Sequence, residues 1–459
     1  MTATEQRQAI GELACLAPRV DGGRIELDYV GTDTQGRETR FTEVVELPGS
    51  LDGVDAATRD ALLRLLSLAA SLSYFKAFAP GRIVVPDGVT DVERRFAVEL
   101  ARHGLGEFAY VNDLPEVFAT EVVGPSGDGE AATSGAPASP GGPSDLLPAA
   151  QCSRRVLVAV GGGKDSIVSI EALLAAEHEV GLFSVNSYRP IEATAEVAER
   201  PLLTARRRLD PELFRLNAEG APNGHVPVTA VNSLVAVLTA LALGYDTVAF
   251  SNEASSSYGN VEWHGQTINH QWSKGIGFER LLREALPAGA PTYVSLLRPL
   301  TELRIARRFA SHTSYHGVFT SCNRAFKLQE SERTSWCADC PKCRFVFLCL
   351  APFLEREELL AIFSGRDMFA DPAQHEGFLE LLGADGLLKP FECVGEPDEC
   401  RVALGLLLEH EGWRDHPFLS APDVVGLAAT SAADREAVFA FREHEHLLTP
   451  DLEAVARAV

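Results

Sequence analysis

Short apolar runs alternate with stretches of helical hydrophobic spacing between residues 151 and 343. The run RVLVAV (155–160) precedes a predicted helix from Ser166, and EVGLFSVN (179–186) precedes a helical stretch near 191–208. Further candidates are the strands ELFRLN (212–217), DTVAFSN (246–252) and TYVSLLRP (292–299), and the helix VNSLVAVLTALAL (231–243). This alternation predicts an α/β fold, a doubly wound parallel sheet with helices on both faces.

The segments on either side of this region have different patterns. Residues 24–47 predict two strands around a glycine-containing turn, and residues 57–78 have helical spacing, so we expect a small α+β N-terminal domain over residues 1–123. Residues 124–150 are rich in Gly, Pro, Ala and Ser and poor in large apolar side chains, which predicts a flexible linker. Residues 344–459 have a mostly helical pattern and form the predicted C-terminal region.

Composition and charge restrict the class of protein. The chain has 459 residues, of which 46% are hydrophobic and 23% charged, as is typical of a soluble globular enzyme. It has no run of about 20 apolar residues and no apolar signal core at the N-terminus, so we expect a cytoplasmic protein with no membrane partner. The net charge of −23 disfavours a nucleic-acid partner but allows a small anionic ligand in a pocket. The sequence makes no prediction of the oligomeric state.

Three glycines separate the first apolar run from its helix. The segment is Gly161, Gly162, Gly163, Lys164, Asp165 and Ser166. Glycines let a ligand approach the main chain, and the free N–H groups of a helix start suit an anion, so the segment predicts a phosphate site. A Walker loop needs Ser or Thr where Asp165 stands, and a dinucleotide fingerprint needs a third glycine where Ser166 stands. The alternative is an ordinary glycine-rich turn with no ligand.

The segment resembles the Ser-Gly-Gly-x-Asp-Ser loop of the PP-loop ATP pyrophosphatases, which cleave ATP between the α and β phosphates. Gly161 departs from that pattern because it replaces a serine. The resemblance implies an ATP-binding domain over residues 151–343, in which the amides of the loop hold the pyrophosphate portion. It also implies ATP contacts from Lys164 and Ser166, a Mg²⁺ ligand in Asp165 and a nucleoside contact from Asn186.

Four cysteines lie close together near the end of this region: Cys322, Cys337, Cys340 and Cys343. Two overlapping Cys-x-x-Cys steps plus one more distant cysteine suit a tetrahedral Zn²⁺ with four thiolate ligands. The pattern also resembles the zinc knuckle of 7-cyano-7-deazaguanine synthase, another PP-loop enzyme. We expect a structural zinc ion, with unpaired reduced cysteines or an iron–sulfur cluster as the alternatives.

A polar segment, residues 250–282, follows the strand candidate DTVAFSN. Loops at the carboxyl ends of parallel strands carry substrate and catalytic groups, so we expect this segment to contribute to an active site. The alternative is a solvated loop. Basic residues that could bind an acidic substrate, or could simply be solvated, are Arg206, Arg207, Arg208, Arg298 and Arg304.

Taken together, four stretches resemble one family, the UDP-N-acetyl-α-D-muramoyl-L-alanyl-L-glutamate epimerases (MurL). They are SLSYFKAFAP (71–80), VAVGGGKDS (158–166), SNEASSSYGNVEWHGQTINHQWSK (251–274) and WCADCPKCRFVFLCLAPF (336–353). The resemblance implies an isomerase of peptidoglycan precursor biosynthesis. Such an enzyme inverts the terminal L-glutamate of a UDP-muramoyl dipeptide, consumes ATP with Mg²⁺ and releases AMP and pyrophosphate.

The implied chemistry requires groups that move a proton at the α-carbon. Adenylation of the carboxylate would make the neighbouring C–H more acidic, and a positioned base and acid would then invert the centre. The candidates for these roles are His270, His264, Lys274 and Glu253. Histidine is favoured because its ordinary pKa lies near neutral pH.

Other activities fit some of the same features. A carboxylate-activating enzyme that amidates or ligates, resembling the deazaguanine synthase, would use the same loop and cysteines. A tRNA-thiolating enzyme is disfavoured by the charge of −23. A sensor that binds ATP without cleaving it is the alternative outside the enzymes.

Overall fold

The structure is a computed structural model that describes residues 11–32, 36–126, 155–326 and 335–459. Within these ranges the strands are β1 (Glu12–Cys15), β2 (Arg19–Asp21), β3 (Arg24–Thr32), β4 (Glu38–Glu46), β5 (Arg82–Val84), β6 (Glu121–Val123), β7 (Arg155–Ala159), β8 (Glu179–Val185), β9 (Leu202–Arg208), β10 (Thr247–Phe250), β11 (Val261–Trp263), β12 (Gln266–Ile268) and β13 (Thr292–Ser295). Strands β11 and β12 form a separate hairpin, and the others belong to one mixed sheet.

The helices of the described residues lie in all parts of the chain. They are α1 (Ala56–Phe75), α2 (Asp91–Gly104), α3 (Gly106–Asn112), α4 (Lys164–Ala175), α5 (Arg189–Ala198), α6 (Pro211–Ala218), α7 (Val228–Leu243), α8 (Ile276–Ala285), α9 (Glu302–Ala310), α10 (Pro341–Leu350), α11 (Arg356–Ile362), α12 (His375–Leu381), α13 (Pro397–Leu407), α14 (Ala432–Phe439) and α15 (Pro450–Arg457). In the part of the chain that the structure covers, no helix has the length and apolar character needed to cross a membrane.

Five parallel strands form the central part of the sheet, in the spatial order β9-β8-β7-β10-β13. Counted along the chain, this order is 3-2-1-4-5, so it reverses direction between β7 and β10. In open α/β sheets a crevice forms at the carboxyl ends of the strands where the order reverses, and ligands bind there. The fold therefore places the end of β7, with its glycine segment, beside such a crevice.

Both faces of the central strands are covered by helices. Val158 and Leu182 pack in the core beneath α4 and α9, whereas Leu157 and Phe183, their neighbours along the strands, pack on the opposite face with α1 and α7. Alternate side chains of a strand point to opposite faces, and burial on both faces explains why these strands are nearly continuous apolar runs. The expectation of a mixed α/β protein with a large, mostly parallel sheet and helices is confirmed.

The N-terminal strands continue the same sheet. Strand β4 pairs antiparallel with β9, with Val44 opposite Arg208 and Glu46 opposite Arg206, and β3, β1, β5 and β6 follow outward. Residues before 124 and the central region therefore share one sheet, and they share the core that packs around α1 and α7. The predicted linker, residues 124–150, lies outside the described residues except for its first three positions.

A buried ion pair crosses the junction between β4 and β9. Arg207 Nε donates to Glu43 Oε1 at 2.6 Å, and Nη2 donates to Glu43 Oε2 at 3.1 Å and to Ser73 Oγ at 3.0 Å. The Glu43 side chain is fully buried and that of Arg207 is 8% exposed. A buried pair of this kind is costly to break, because the remaining charge has no partner and little water.

Glu43→Gln is expected to destabilise the protein by about 3–5 kcal/mol, because it leaves the buried Arg207 charge unpaired. The matched control is Glu46→Gln on the same strand, which removes a more exposed partner of Arg208 at 2.9 Å and should cost at most about 1 kcal/mol. Urea unfolding of the two variants and the wild type measures the difference. Equal stabilities for the two variants would contradict the role given to this pair.

Two local predictions are wrong. The segment ELFRLN, predicted as a strand, lies in helix α6, because Asp210 accepts a hydrogen bond from Glu212 N at 2.8 Å and Pro211 occupies the first helical position. The helical stretch predicted near 191–208 is helical only to Ala198, where α5 ends at a left-handed Glu199, and its second half is strand β9. Pairing with β4 and β8 stabilises that strand in a way that local spacing does not reveal.

Candidate active site

A cavity of about 300 Å³ lies at the carboxyl ends of β7, β8 and β10. Gly161 and Gly163 line it after β7, Val185 lines it at the end of β8, and Asn252 and Glu253 line it after β10. Residues from later parts of the chain also line it, among them Lys274, Glu302, Asn323, Lys342 and Cys393. The glycine segment and the polar segment 250–282 therefore meet in one cavity, as their positions in the sequence predict.

The glycine segment has a conformation that requires glycine at its second position, Gly162. Gly162 has a φ of +79°, and a Cβ there would lie 3.1 Å from Pro190, while a Cβ on Gly163 would lie 2.8 Å from Ser321 Oγ. The turn is also fixed by a hydrogen bond of 2.9 Å from Thr320 N to Gly162 O. A Cβ on Gly161 would meet nothing within 4 Å, so packing does not require a glycine where the PP-loop pattern has a serine.

Helix α4 begins directly after this turn with its N-terminus at the cavity. Its N-cap, Gly163, provides no side-chain capping bond, so the first N–H groups of the helix are free to bind an anion. The side chain of Asp165 lines the cavity in the first turn. Ser166 also lines it, but its Oγ donates to Gly163 O at 2.9 Å and so stabilises the turn.

Lys164 is almost completely buried between two carboxylates. Its Nζ contacts both Asp165 and Glu302, and its side chain is 2% exposed. Burial lowers the pKa of Lys164, but these carboxylates outweigh burial and raise the pKa above its ordinary value. Burial and the neighbouring Asp165 in turn raise the pKa of Glu302. Lys164 therefore neutralises two carboxylates of the cavity, whereas the sequence predicts that it contacts phosphate.

Two of the four proton-transfer candidates line the cavity, Glu253 and Lys274. Burial and the nearby carboxylate of Asp165 raise the pKa of Glu253 to about 6. Lys274 Nζ donates to Cys393 Sγ at 3.1 Å. Burial lowers the pKa of Lys274, but Cys393 and Glu253 outweigh burial and raise it, so the ammonium form is favoured. The cavity thus holds a carboxyl group that titrates near neutral pH and a fixed cation.

His270 lies behind the cavity wall instead of lining it. Its Nδ1 contacts Glu107, its ring interacts electrostatically with Cys393, and the His225 ring lies 4.4 Å away between centroids. Burial lowers the pKa of His270, but Cys393 and Glu107 outweigh burial and raise it to about 9. The imidazolium form therefore predominates at neutral pH, and it faces the thiol of Cys393.

The structure does not bring two of the predicted site residues to the cavity. His264 is exposed at the tip of the β11–β12 hairpin, where its φ is +47° and its ring contacts Trp263. Asn186 uses its side chain to bind strand β9, because its Nδ2 donates to Arg207 O at 2.9 Å and its Oδ1 accepts from Arg207 N at 3.0 Å. Neither residue lines the cavity.

The arginines proposed for substrate binding do not line this cavity either. Arg207 is used in the buried pair with Glu43. Arg298 is 1% exposed, pairs with Glu279 at 3.2 Å and donates to Glu253 O at 2.6 Å. Arg298 therefore holds the backbone that carries Glu253, which is a positioning role.

Sequence reasoning missed several residues from later in the chain that also line the cavity. Cys393 and Glu302 come from segments with no motif, whereas Asn323 directly follows Cys322 of the cysteine cluster. Lys342 could have been noticed, because it stands between two of the clustered cysteines. No local signal in the sequence indicates Cys393.

The four clustered cysteines meet at one point beside this wall. All four sulfur atoms lie within 4.8 Å of one another, with 3.7 Å between Cys337 Sγ and Cys343 Sγ and 3.5 Å between Cys340 Sγ and Cys343 Sγ. Zn–S bonds of about 2.3 Å in a tetrahedron place sulfur atoms about 3.8 Å apart, so the spacing fits a zinc ion. Cys340 occupies the N-cap position of α10, so Cys343 lies in the first turn of this helix.

Comparison with known protein families agrees with this architecture. The family model for the MurL N-terminal domain matches residues 4–296, and the model for the MurL C-terminal domain matches residues 318–437. The chain belongs to the MurL family. The first family model ends directly after β13, so it spans the N-terminal strands and the central strands together. The second contains the cysteine cluster and Cys393.

Curated relatives support the same assignment within the MurL family. Proteins named UDP-N-acetyl-alpha-D-muramoyl-L-alanyl-L-glutamate epimerase include one from a Micromonospora species, 47% identical over 95% of both chains. Another, from Salinispora tropica, is 48% identical over 91% of this chain and 89% of its own. A third, from Xanthomonas oryzae pv. oryzae, is 43% identical over 83% and 82%, respectively. No solved structure matches this chain.

Proposed function

We propose that this protein is an isomerase that inverts the α-carbon of the terminal L-glutamate of UDP-MurNAc-L-Ala-L-Glu, and that ATP activates the glutamate carboxylate for this purpose. The names of its relatives support the epimerisation and the substrate. One observation carries the role of ATP: a glycine turn and an open helix N-terminus share a single cavity with Glu253, Lys274 and Cys393. An anion site and proton-transfer groups are therefore next to each other.

The chemistry explains why activation and proton transfer belong together. An ionised carboxylate makes its α-C–H a very weak acid, because deprotonation adds a second negative charge. Attack of a carboxylate oxygen on the α-phosphorus of ATP displaces pyrophosphate and forms an acyl-adenylate, which withdraws electrons from the α-carbon. The α-proton then leaves to a base, another proton returns on the opposite face, and water releases AMP and the inverted glutamate.

Residues at the start of α4 fit the polyphosphate and its counter-ion. The free N–H groups after Gly163 suit phosphate oxygens, and the carboxylate of Asp165 is a hard oxygen donor of the kind that binds Mg²⁺. The strand order 3-2-1-4-5 and the glycine turn also support assigning the central region to the PP-loop ATP pyrophosphatase type. Lys164 is already paired with Glu302, so its charge is not available to the phosphates. Bound Mg²⁺ would neutralise the phosphate charge instead.

The cysteine cluster fits a structural Zn²⁺. Cys322, Cys337, Cys340 and Cys343 supply four sulfur ligands and leave no position for substrate, which is the arrangement of structural sites. Between Cys340 and Cys343, Lys342 lines the cavity, so the metal would hold this part of the wall in place. We propose no direct contact between this metal and the substrate.

A single assay tests the proposed function. Purified protein is incubated with UDP-MurNAc-L-Ala-L-Glu, ATP and Mg²⁺ in D₂O, and the glutamate is analysed for chirality and α-deuterium while AMP and pyrophosphate are measured. We expect D-glutamate carrying deuterium, together with AMP. Free L-glutamate in place of the dipeptide is the control substrate. AMP with an amide or ligated product would support the amidating alternative, ATP binding without AMP would indicate a sensor, and inversion without ATP would contradict adenylation.

A further inference from the structure

Cys393 is the cysteine that lines the active-site cavity, among the residues that the structure describes. It lies between α12 and α13 and is partly exposed to the cavity. Cys15 is buried in the core beside the N-terminal strands, Cys349 and Cys400 are buried in the helical core, and four others form the cysteine cluster. The position of Cys393 therefore differs from that of every other described cysteine, since it lines the same cavity as the glycine turn.

Cationic groups surround the sulfur of Cys393. Lys274 Nζ lies 3.1 Å from Sγ, and the His270 ring, which does not line the cavity, interacts electrostatically with Cys393. Burial raises the pKa of Cys393, but Lys274, Lys342 and His270 outweigh burial and lower the pKa well below its ordinary value. A thiolate that is accessible and surrounded by cations is typical of a reactive cysteine, whereas structural cysteines are buried and inert.

A carboxylate, an imidazole and a thiol interact in this part of the molecule. Glu107 contacts His270 Nδ1, and the same ring interacts electrostatically with Cys393. A carboxylate behind an imidazole holds the ring in one orientation and stabilises its charged form. Glu107 and His270 do not line the cavity. Their contacts fit the positioning of Cys393 better than a direct contact with substrate.

Two groups near Cys393, Lys274 and His270, are less suited to removing a proton. The raised pKa values of Lys274 and His270 keep both groups protonated near neutral pH, so neither is available as a base. Glu253 follows β10, whereas Cys393 belongs to the wall after α12, and Lys274 interacts electrostatically with both. A thiolate and a carboxyl group are therefore present in one cavity, which supplies the two groups that inversion requires.

We propose that Cys393 is a catalytic residue that removes or returns the α-proton on one face of the glutamyl residue, with His270 and Glu107 as positioning residues. This inference rests on the proposed epimerisation. When the thiolate acts as base, the α-C–H bond breaks, its proton moves to Sγ, and its electron pair moves into the activated carboxyl group as an enolate. Glu253 in its acid form, on the other face, then protonates the carbon. Exchange with water restores the thiolate and the carboxyl group.

Cys393→Ala and Cys393→Ser test the proposal in the full-length protein. Inversion should fall by about 10²- to 10⁴-fold, which is the usual contribution of a positioned base. Exchange of labelled pyrophosphate into ATP in the presence of substrate, which reports adenylation alone, should remain comparable to wild type. Deuterium exchange at the α-carbon should be lost for one glutamyl epimer and retained for the other, because only one face loses its group.

Several outcomes would overturn the proposal. They are inversion at the wild-type rate, unchanged exchange with both epimers, or loss of pyrophosphate exchange in a variant with the wild-type circular dichroism spectrum and melting temperature. His264→Gln is the control, because this histidine is exposed at the hairpin tip and should leave all rates unchanged. If the wild type itself forms neither AMP nor D-glutamate, the proposed function is wrong. That outcome is distinct from the results above, which would contradict the role of Cys393 alone.

His270→Gln distinguishes positioning from simple structural support. The thiol faces Lys274 and Lys342 as well as His270, with Glu107 and His225 behind the ring. Removing the imidazolium should raise the pKa of Cys393, so the acidic limb of the rate–pH profile for deuterium exchange should move to higher pH. An unchanged profile with a lower rate would contradict the positioning role of His270.

Discussion

Asp165→Asn is expected to abolish AMP formation and glutamate inversion together. The Asp165 side chain lines the cavity in the first turn of α4, directly after the glycine turn. An amide is a poor ligand for Mg²⁺ compared with a carboxylate, so the ATP complex should not assemble. The loss should exceed the about 10- to 100-fold that removal of an outer-shell partner typically costs at a metal site.

Measurement of pyrophosphate, AMP and D-glutamate with the same enzyme preparation checks this expectation. The matched control is Glu192→Gln, because Glu192 also stands in the first turn of a helix, α5, but is exposed and lies outside the cavity. Glu192→Gln removes one charge at a helix N-terminus and should change stability by about 0.3–1 kcal/mol, whereas Asp165→Asn also removes a partner of the buried Lys164 and should cost more. AMP formation by Asp165→Asn at the wild-type rate would remove the basis for the ATP site.

Cys343→Ser is expected to remove the bound metal and to destabilise the protein strongly. Its sulfur lies 3.7 Å from that of Cys337 and 3.5 Å from that of Cys340, at the start of α10. Structural zinc contributes about 10–16 kcal/mol to the folding of zinc-finger peptides, so even partial loss should exceed the usual effect of a point mutation. Activity should fall as well, because Lys342 in the same turn lines the cavity.

Metal analysis and thermal unfolding check this second expectation. The wild type should contain one zinc ion per chain. Cys349→Ala is the matched control, because Cys349 lies in the same helix but packs in the core and should keep the metal when replaced. Visible absorption with bound iron would indicate the iron–sulfur alternative, and a wild-type protein purified without any metal would support reduced cysteines.

Some elements could be predicted because their signals are local. The glycine segment 161–163 is a contiguous motif, and the structure uses it as a turn at the end of a strand with the required positive φ at Gly162. The three later cysteines stand at short spacings, and the fold brings Cys322 to them. Apolar runs in the central region marked strands β7, β8, β10 and β13, since strands buried on both faces are apolar at nearly every position.

Other elements depend on contacts between distant residues and had no local signal. Strand β9 carries three arginines and was predicted as helix. It forms a strand because β4 pairs with its backbone and supplies the buried Glu43, which pairs with Arg207. His270 was selected from the sequence as a direct proton donor or acceptor. The structure instead places it behind Cys393, which lies more than a hundred residues later in the chain.

The sequence by itself therefore determined the parallel α/β arrangement of the centre, the glycine turn at the end of β7, the cysteine cluster and the MurL family. Only the tertiary structure decided that the N-terminal strands extend the same sheet, that His264 and Asn186 lie away from the cavity, and that Cys393 faces Lys274 within it. The physical reason is the range of the interactions. Turns, caps and closely spaced ligands depend on neighbouring residues, whereas a cavity wall depends on how helices and strands far apart in the chain pack together.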